Sequence, residues 1–231
     1  MALRNFVKNR QQLINIIGIN TDKECHLQLV RIDKEQLFLA FEFLNNTDDK
    51  NMMNRSYSEM EKAVEQQLVF AFIDESTQQI VGLGCAFQLD DSLFYEVGGC
   101  YVLPEYRGLG LQKVLLEARN VALLITQGSS VNIGTAIKPN NIPSLKNAKN
   151  AGFVQWKTPS KEFLAPCKGC SCSNNLSEER LCCYDYYLLS NKLKSHLVKE
   201  YIQKPSKILE LLKPHFNMSF SVKANFLPIL N

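Results

Sequence analysis

Two glycines between a predicted strand and a predicted helix form the part of the sequence best suited to binding an anion. The turn reads Arg107-Gly-Leu-Gly110 and follows a strand-like run from Phe94 to Leu103. Glycine lets the backbone pass close to a ligand, and the N–H groups that begin a helix favour an anion by about 0.3–2 kcal/mol. Lys113, one turn further on, adds a positive charge. These residues predict a diphosphate site, and a tight turn that merely needs two glycines is the alternative.

Hydrophobic periodicity predicts the elements that position this turn. Strand-like runs and helical spacings follow the order β-α-α-β-β-β-α-β-α-β-β between about residues 27 and 189. The helix behind the turn begins at Leu111 and ends at Gly128, and Ser58–Glu61 predicts a capping box for the second helix. Gly98-Gly99, inside the strand before the turn, predicts a bulge or a close backbone approach. The expected fold class is α/β (α+β), with a mixed central sheet and flanking helices.

Composition excludes several classes of protein. The chain has 231 residues, of which 45 % are hydrophobic and 21 % are charged, values that exclude a disordered or fibrous protein. The net charge of +3 argues against a nucleic-acid partner. No run approaches the ~20 apolar residues of a membrane span, and the N-terminus lacks the pattern of a signal peptide. We therefore expect a cytoplasmic protein that makes no membrane contact, with its cysteines reduced or bound to metal.

Two sequence motifs resemble those of the GNAT acyltransferase superfamily. The run Val102–Gln112 is similar to its acyl-CoA-binding motif R/Q-x-x-G-x-G/A, preceded by the usual V-x-P-x-x-R, although Gln112 stands where Gly or Ala is usual. The run Asn141–Ser144, followed by Gly152-Phe153, resembles the second motif of the family. The resemblance covers about residues 27–190 and implies a GNAT-like acyl-CoA N-acyltransferase fold that uses acetyl-CoA.

The resemblance also implies particular contacts with acetyl-CoA. Backbone groups of the strand before the turn would pair with the pantetheine arm, as a peptide adds to the edge of a splayed sheet. The N–H groups of the turn would hold the pyrophosphate, and two polar residues of the second motif would lie beside the pantetheine. The cofactor-binding residues expected in this way are Cys100, Tyr101, Val102, Arg107, Gly108, Leu109, Gly110, Leu111, Gln112, Lys113, Asn141 and Ser144.

Acyl transfer to an amine needs a neutral amine, a stabilised oxyanion and a route for the leaving thiolate. Glu96 is the candidate base because it lies six residues before Val102 on one strand, so both side chains are expected on one face. A solvent-facing or Lys-paired Glu96 is the alternative. The resemblance makes the Val102 N–H the oxyanion donor, but Ala148 stands where many members have a Tyr acid. The remaining candidates for the acid are Tyr101, Tyr184, Cys100 and solvent.

Five of the eight cysteines lie within 17 residues: Cys167, Cys170, Cys172, Cys182 and Cys183. C-x-x-C is a frequent zinc half-site, and four thiolates complete a tetrahedral site. Because adjacent residues of a strand point to opposite faces, only Cys182 or Cys183 is expected to join the other three ligands. Reduced thiols in a predicted hairpin of residues 164–183 are the second interpretation, and redox disulfides are the third.

We expect residues 1–191 to form the acyltransferase domain and residues 192–231, with seven Lys and two Glu, to form an extension packed on it. Helical spacing in this extension predicts helices over Lys192–Gln203 and Ser206–Lys213. The expected activity is transfer of an acetyl group from acetyl-CoA to a primary amine of a small molecule or peptide. Transfer would occur by direct attack in a ternary complex, because no His lies in the motif region to activate a Cys100 nucleophile.

A protein of a different class is the alternative: a non-catalytic GNAT-like module that holds CoA or regulates a partner. In that interpretation the cysteine-rich hairpin would bind zinc and form an interaction surface. Assembly as a homodimer is a further expectation in either case.

Overall fold

The structure is a computed structural model that describes residues 25–47, 49, 52, 54–89, 93–157, 184–197 and 217–222. Its helices and strands are β1 (Cys25–Arg31), α1 (Leu37–Asn45), α2 (Tyr57–Glu65), β2 (Val69–Asp74), β3 (Gln79–Leu89), β4 (Phe94–Val102), α3 (Leu111–Gln127), β5 (Asn132–Ile137), α4 (Ile142–Asn150), β6 (Phe153–Gln155), β7 (Asp185–Leu189), α5 (Asn191–Leu197) and β8 (Asn217–Val222). A short 3₁₀ turn, Pro104–Tyr106, connects β4 to the predicted glycine turn.

The strands form one sheet in the order β6-β7-β5-β4-β3-β2-β1-β8. Strands β4 and β5 are parallel and all other neighbours are antiparallel, so the sheet is mixed. Helix α3 covers one face, where its apolar side packs on β2, β3 and β4. Helices α1 and α2 cover the opposite face. The predicted order of elements from β1 to β7 and the predicted mixed sheet with flanking helices are confirmed.

The C-terminal extension is not helical throughout. Helix α5 covers the first part of the predicted helix Lys192–Gln203, whereas the predicted helix Ser206–Lys213 lies outside the described residues. Strand β8 pairs antiparallel with β1, from Cys25 opposite Val222 to Val30 opposite Asn217. An open strand edge offers unpaired N–H and C=O groups, and β8 satisfies those of β1.

The capping box of helix α2 lies two residues earlier than the predicted one. The pattern Ser-x-x-Glu occurs at both Ser56–Glu59 and Ser58–Glu61, and the structure uses the first. The Ser56 hydroxyl accepts the Glu59 N–H at 3.2 Å, and the Glu59 carboxylate accepts the Ser56 N–H at 2.8 Å. This start turns Met60 toward the core, where its side chain is fully buried.

Strand β4 contains a bulge at the predicted glycine pair. Cys85 of β3 pairs with Gly98, but Leu83 pairs with Tyr101, so β4 holds one residue more than β3 over this stretch. An extra residue in one strand reverses the alternation of side chains beyond it. The bulge follows the glycines because Gly99 has a φ of +51°, a backbone conformation that favours glycine.

The bulge separates two residues that were expected to share a face. Glu96 lies before it and contacts Arg55 on the side of α1 and α2, whereas Val102 lies beyond it and packs in the core beneath α3. The expectation that both side chains project to one face is therefore wrong, because a count of six residues assumes an unbroken strand.

A buried arginine of α3 fills the space at the bulge. Arg119, with 1 % of its surface exposed, donates from Nη1 to the carbonyls of Cys85 at 2.7 Å and Gly98 at 2.8 Å. Its Nε donates to the Leu115 carbonyl at 2.9 Å. Gly84 makes room for it, since a Cβ at Gly84 would lie 3.1 Å from the guanidinium carbon. Buried carbonyls that a bulge leaves without a strand partner need such donors.

Substitution of Gly84 by Ala is expected to lower the free energy of unfolding by about 1–3 kcal/mol, because the added methyl group overpacks the Arg119 side chain. Gly82→Ala is the matched control in the same strand, since its nearest neighbour would lie at 3.4 Å, an ordinary contact. We expect the control to change stability by less than about 1 kcal/mol. Urea unfolding of both variants measures the difference, and equal stabilities would contradict the role given to Gly84.

Candidate active site

The parallel strands β4 and β5 separate after three paired residues and open a cleft. Pairing runs from Phe94 opposite Asn132 to Glu96 opposite Gly134 and then stops. Beyond that point the cleft is bordered by β4, by β5 and by the starts of α3 and α4. The predicted site residues that line it are Glu96, Cys100, Gln112, Asn141, Ser144 and Tyr184. The predicted residues that lie outside its lining are Tyr101, Val102, Arg107, Gly108, Leu109, Gly110, Leu111 and Lys113.

The glycine turn at the start of α3 presents open backbone. Gly108 has a φ of +84° and Gly110 a φ of +75°, and a Cβ at either position would meet nothing within 4 Å. Gly110 is the N-cap of α3, and no side chain caps the helix there. The first N–H groups of a helix lack the carbonyl partner four residues earlier and are available to an anion, although the Lys113 N–H already bonds the Gly110 carbonyl at 3.0 Å. Leu109 and Leu111, which are 2 % and 1 % exposed, anchor the turn in the core.

Neighbouring side chains hold the turn in place. Arg107 donates from Nε to the Val102 carbonyl at 3.0 Å, and the Tyr106 hydroxyl donates to Asp74 at 2.6 Å. The Leu103 N–H bonds a carbonyl of β3, so the Val102 N–H and C=O point away from β3. Val102 therefore directs its N–H to the side where β5 has separated, while Arg107 occupies its carbonyl. Direct contact between Arg107 and a cofactor stays a prediction.

Gln112, the residue that departs from the family motif, connects the two motifs. Its amide nitrogen donates to the Ser144 hydroxyl at 3.0 Å, and its amide oxygen accepts from Asn147 at 2.7 Å. Asn141 in turn caps α4 by accepting the Ser144 N–H at 3.3 Å. These contacts join the first turns of α3 and α4 along one wall of the cleft. Asn147 was not predicted, because one amide at the surface of a short helix gives no sequence signal.

Glu96 is paired with an arginine rather than with solvent or Lys. Arg55 donates to its carboxylate at 2.9 Å, and only 7 % of the Arg55 side chain and 14 % of the Glu96 side chain are exposed. The Arg55 guanidinium also lies 4.3 Å from the ring centre of Phe87 and 3.5 Å from Glu59. Burial acts to lower the pKa of Arg55, but Glu96 and Glu59 more than offset this and raise it. The Arg55 guanidinium is therefore held as a cation beside the Glu96 carboxylate.

The two tyrosines considered as acids lie in different places. Tyr184 lines the cleft, and the Lys138 ammonium lies 5.6 Å from its ring centre. Tyr101 lies on the face of β4 that α1 and α2 cover, where its ring meets Phe43 at 5.8 Å and the Arg107 guanidinium at 5.4 Å. Of the two hydroxyls, only that of Tyr184 belongs to a residue of the cleft wall.

The thiols beside the bulge are poor nucleophiles. Burial raises the pKa of Cys100, against the influence of the nearby Arg119, and burial raises the pKa of Cys85 to about 12. Both are free thiols. Because the thiolate is the reactive form of cysteine, this environment disfavours an acyl-enzyme on Cys100.

The predicted metal ligands cannot be placed. Cys167, Cys170, Cys172 and Cys182 lie outside the described residues, as does the alternative ligand Cys183. Within the described part of the chain, no group of three or more His, Cys, Asp or Glu is arranged to hold a metal ion. The helices in that same part include none that is long and apolar enough to cross a membrane.

A sheet that opens beside an uncapped helix start, with a carboxylate in the cleft, defines a site of the acyl-CoA-dependent transferase type. The chain matches the model of the Acetyltransferase (GNAT) family over residues 32–153, more than half of its length. It belongs to this family. The open backbone at Gly108 and Gly110 fits the acetyl-CoA that the family uses, since no side chain fills the space beside either residue.

Comparison with solved structures gives distant likenesses. A GNAT-family acetyltransferase of Staphylococcus aureus has 15 % identity and a TM-score of 0.49, over 70 % of this chain and 97 % of that one. A Mycobacterium tuberculosis protein in complex with CoA has 14 % identity and a TM-score of 0.48, over 70 % and 97 %. The ribosomal-protein-S5-alanine acetyltransferase of Vibrio fischeri has 17 % identity and a TM-score of 0.48, over 70 % and 90 %. No curated protein matches the chain.

Gly110→Ala is expected to weaken CoA binding by about tenfold or more, because the methyl group enters the open space and strains the first N–H groups of α3. Gly128→Ala is the matched control: Gly128 caps the other end of α3, has a φ of +78° and also faces open space. Gly110→Ala should cost about 1–2 kcal/mol of stability through its left-handed backbone, and Gly128→Ala about 1–3 kcal/mol, because its φ of +78° and ψ of −178° lie in a region that glycine alone readily adopts. Calorimetric titration with CoA separates them, and equal CoA affinities would refute the anion site.

Proposed function

We propose that the protein transfers an acetyl group from acetyl-CoA to a primary amine of a small molecule or peptide, by direct attack in a ternary complex. One observation carries this proposal: the cleft between β4 and β5 opens beside the anion-binding turn. Gln112 belongs to both, since it lies in the first turn of α3 and lines the cleft. A diphosphate at the turn would therefore continue directly into the cleft.

The cofactor would be held mainly by backbone groups. The N–H groups from Gly108 to Lys113 would bind the pyrophosphate, where the start of α3 favours negative charge. The open edge of β4 from Cys100 to Val102 would pair with the pantetheine arm, beside Asn141 and Ser144. Support for this arrangement comes from the orientation of the Val102 backbone and from the position of both polar residues in the cleft wall.

Glu96 would accept the proton of the attacking amine, directly or through water. As the nitrogen attacks the thioester carbonyl, the C–N bond forms and negative charge collects on the carbonyl oxygen, which the Val102 N–H would stabilise. The C–S bond then breaks and leaves its electron pair on sulfur. Arg55, which donates to the Glu96 carboxylate at 2.9 Å, fixes the position of this carboxylate in the cleft wall.

Glu96→Gln is expected to lower kcat by about 10²–10⁴-fold, because it removes the base, and to leave the affinity for CoA unchanged. Glu59→Gln is the control: it removes the other carboxylate beside Arg55, outside the cleft, and keeps a side chain able to complete the capping box. Steady-state kinetics and CoA titration of both variants measure the two effects. An unchanged kcat in Glu96→Gln, or an equal loss in Glu59→Gln, would remove Glu96 as the base.

A non-catalytic module that binds CoA is the second candidate. The observation that favours it is Ala148, which is buried in the cleft wall and has no proton to donate at the position where many members of the family have a Tyr acid. Release of the CoA thiol from acetyl-CoA, assayed with a panel of amines, distinguishes the two. Thiol release that depends on the amine supports the enzyme, and tight CoA binding without release with any amine of the panel would favour the module.

Several finer expectations are part of the proposal. We propose that residues 1–191 form the catalytic domain with the extension 192–231 packed on it, and that the protein is cytoplasmic and forms a homodimer. Zinc bound by Cys167, Cys170, Cys172 and Cys182 is the alternative to reduced thiols. Metal analysis of the freshly purified protein tests the zinc site, which about one zinc per chain would support and absence of metal would exclude.

A further inference from the structure

Arg119 is a buried cation that has only neutral partners. Its side chain is among the largest fully buried ones of the described residues, and it lines the cleft. Its hydrogen bonds reach the carbonyls of Leu115, Cys85 and Gly98. The Cys100 thiol lies near enough for the positive charge of Arg119 to act on its pKa. Among the described residues, no carboxylate lies within 4.0 Å of its guanidinium. The positive charge therefore has no fixed counter-charge.

The guanidinium still has donors to offer. Of its five N–H groups, the one on Nε and two on Nη1 serve the three carbonyls. The two on Nη2 form the remaining edge, and no carbonyl of the described residues accepts from them. The Cys100 thiol lies near this guanidinium and is part of the cleft wall, so Arg119 is close to the cleft.

A neutral side chain would suffice to cap the carbonyls at the bulge. Burying an ion is costly unless an opposite charge accompanies it. A cation kept in a reaction cleft without a partner is therefore suited to an anion that forms only during the reaction. The acyl transfer produces two such anions, the oxyanion and the thiolate that leaves.

The rest of the cleft wall indicates the thiolate. Ala148 supplies no proton. Among the described residues of the lining, the cations other than Arg119 are Arg55, which is bound to Glu96, and Lys138, which lies beside the Tyr184 ring. A thiol has a pKa near 8.5, so its anion leaves readily when a nearby cation stabilises it. The Val102 N–H already serves the oxyanion in the proposed mechanism.

We propose that Arg119 is the counter-charge for the leaving thiolate of CoA, and that this charge replaces a general acid. The inference rests on the proposed function. As the C–S bond breaks, its electron pair stays on sulfur, which departs as an anion facing the Nη2 edge of Arg119. The amine proton goes to Glu96 or water, and the thiolate takes a proton from solvent only after it has left. No acid within the protein is required.

The test is the pKa of the CoA thiol bound to the intact protein. CoA labelled with ¹³C at the carbon next to sulfur reports the ionisation of the thiol by NMR across a pH titration. We expect the wild-type protein to lower the pKa of the thiol by about 1 or more relative to free CoA. Arg119→Gln should return it to the free value or above, whereas Arg119→Lys, which keeps the charge, should retain most of the effect.

Lys138→Gln is the matched control, because it removes a cation from the same cleft. We expect it to leave the thiol pKa lowered, so an equal loss in Lys138→Gln and Arg119→Gln would overturn the assignment. A wild-type thiol pKa at or above that of free CoA would overturn it without any variant, and so does not depend on the folding of Arg119→Gln. Failure of CoA to bind would refute the proposed function as well, whereas binding with an unshifted thiol refutes only this inference.

Discussion

Three hydrogen bonds from the guanidinium of Arg119 stabilise the bulge between β3 and β4. They satisfy the carbonyls of Cys85 and Gly98 at the bulge and tie both strands to α3. The bulge decides which side chains of β4 share a face, and it lies where β4 has already lost contact with β5. The position of the cleft and the face on which Glu96 lies both depend on this packing.

The residues proposed to bind the cofactor and those proposed to react lie at different points along β4 and α3. At the start of α3, glycines leave backbone N–H groups open to an anion. About two turns further along the same helix, Arg119 places a cation against β4. The Arg55–Glu96 pair faces the other side of that strand. Charges of both signs therefore approach the cleft from different elements, and the sheet between them keeps them apart.

Local patterns predicted much of the fold, because each depends on a few neighbouring residues. The glycine turn, the apolar stripe of α3 and the bulge at Gly98-Gly99 belong to this kind. The pairing of Glu96 with Arg55 could not be predicted from local patterns, because Arg55 lies 41 residues earlier in an irregular segment. Arg119 lies among the buried residues of α3, and a charged residue in that position was the one sequence signal that pointed to it. The pairing of β8 with β1 could not be predicted either, because the two strands are far apart in sequence and no local pattern marks their contact.

The account depends on CoA entering the cleft from the glycine turn. A crystal structure of the protein with CoA tests this most directly, because it locates both ends of the ligand. We predict the pyrophosphate at the N–H groups between Gly108 and Lys113, and the sulfur between β4 and β5, on the side of Cys100 and Arg119. A pyrophosphate bound elsewhere, or a sulfur outside the cleft, would contradict the account.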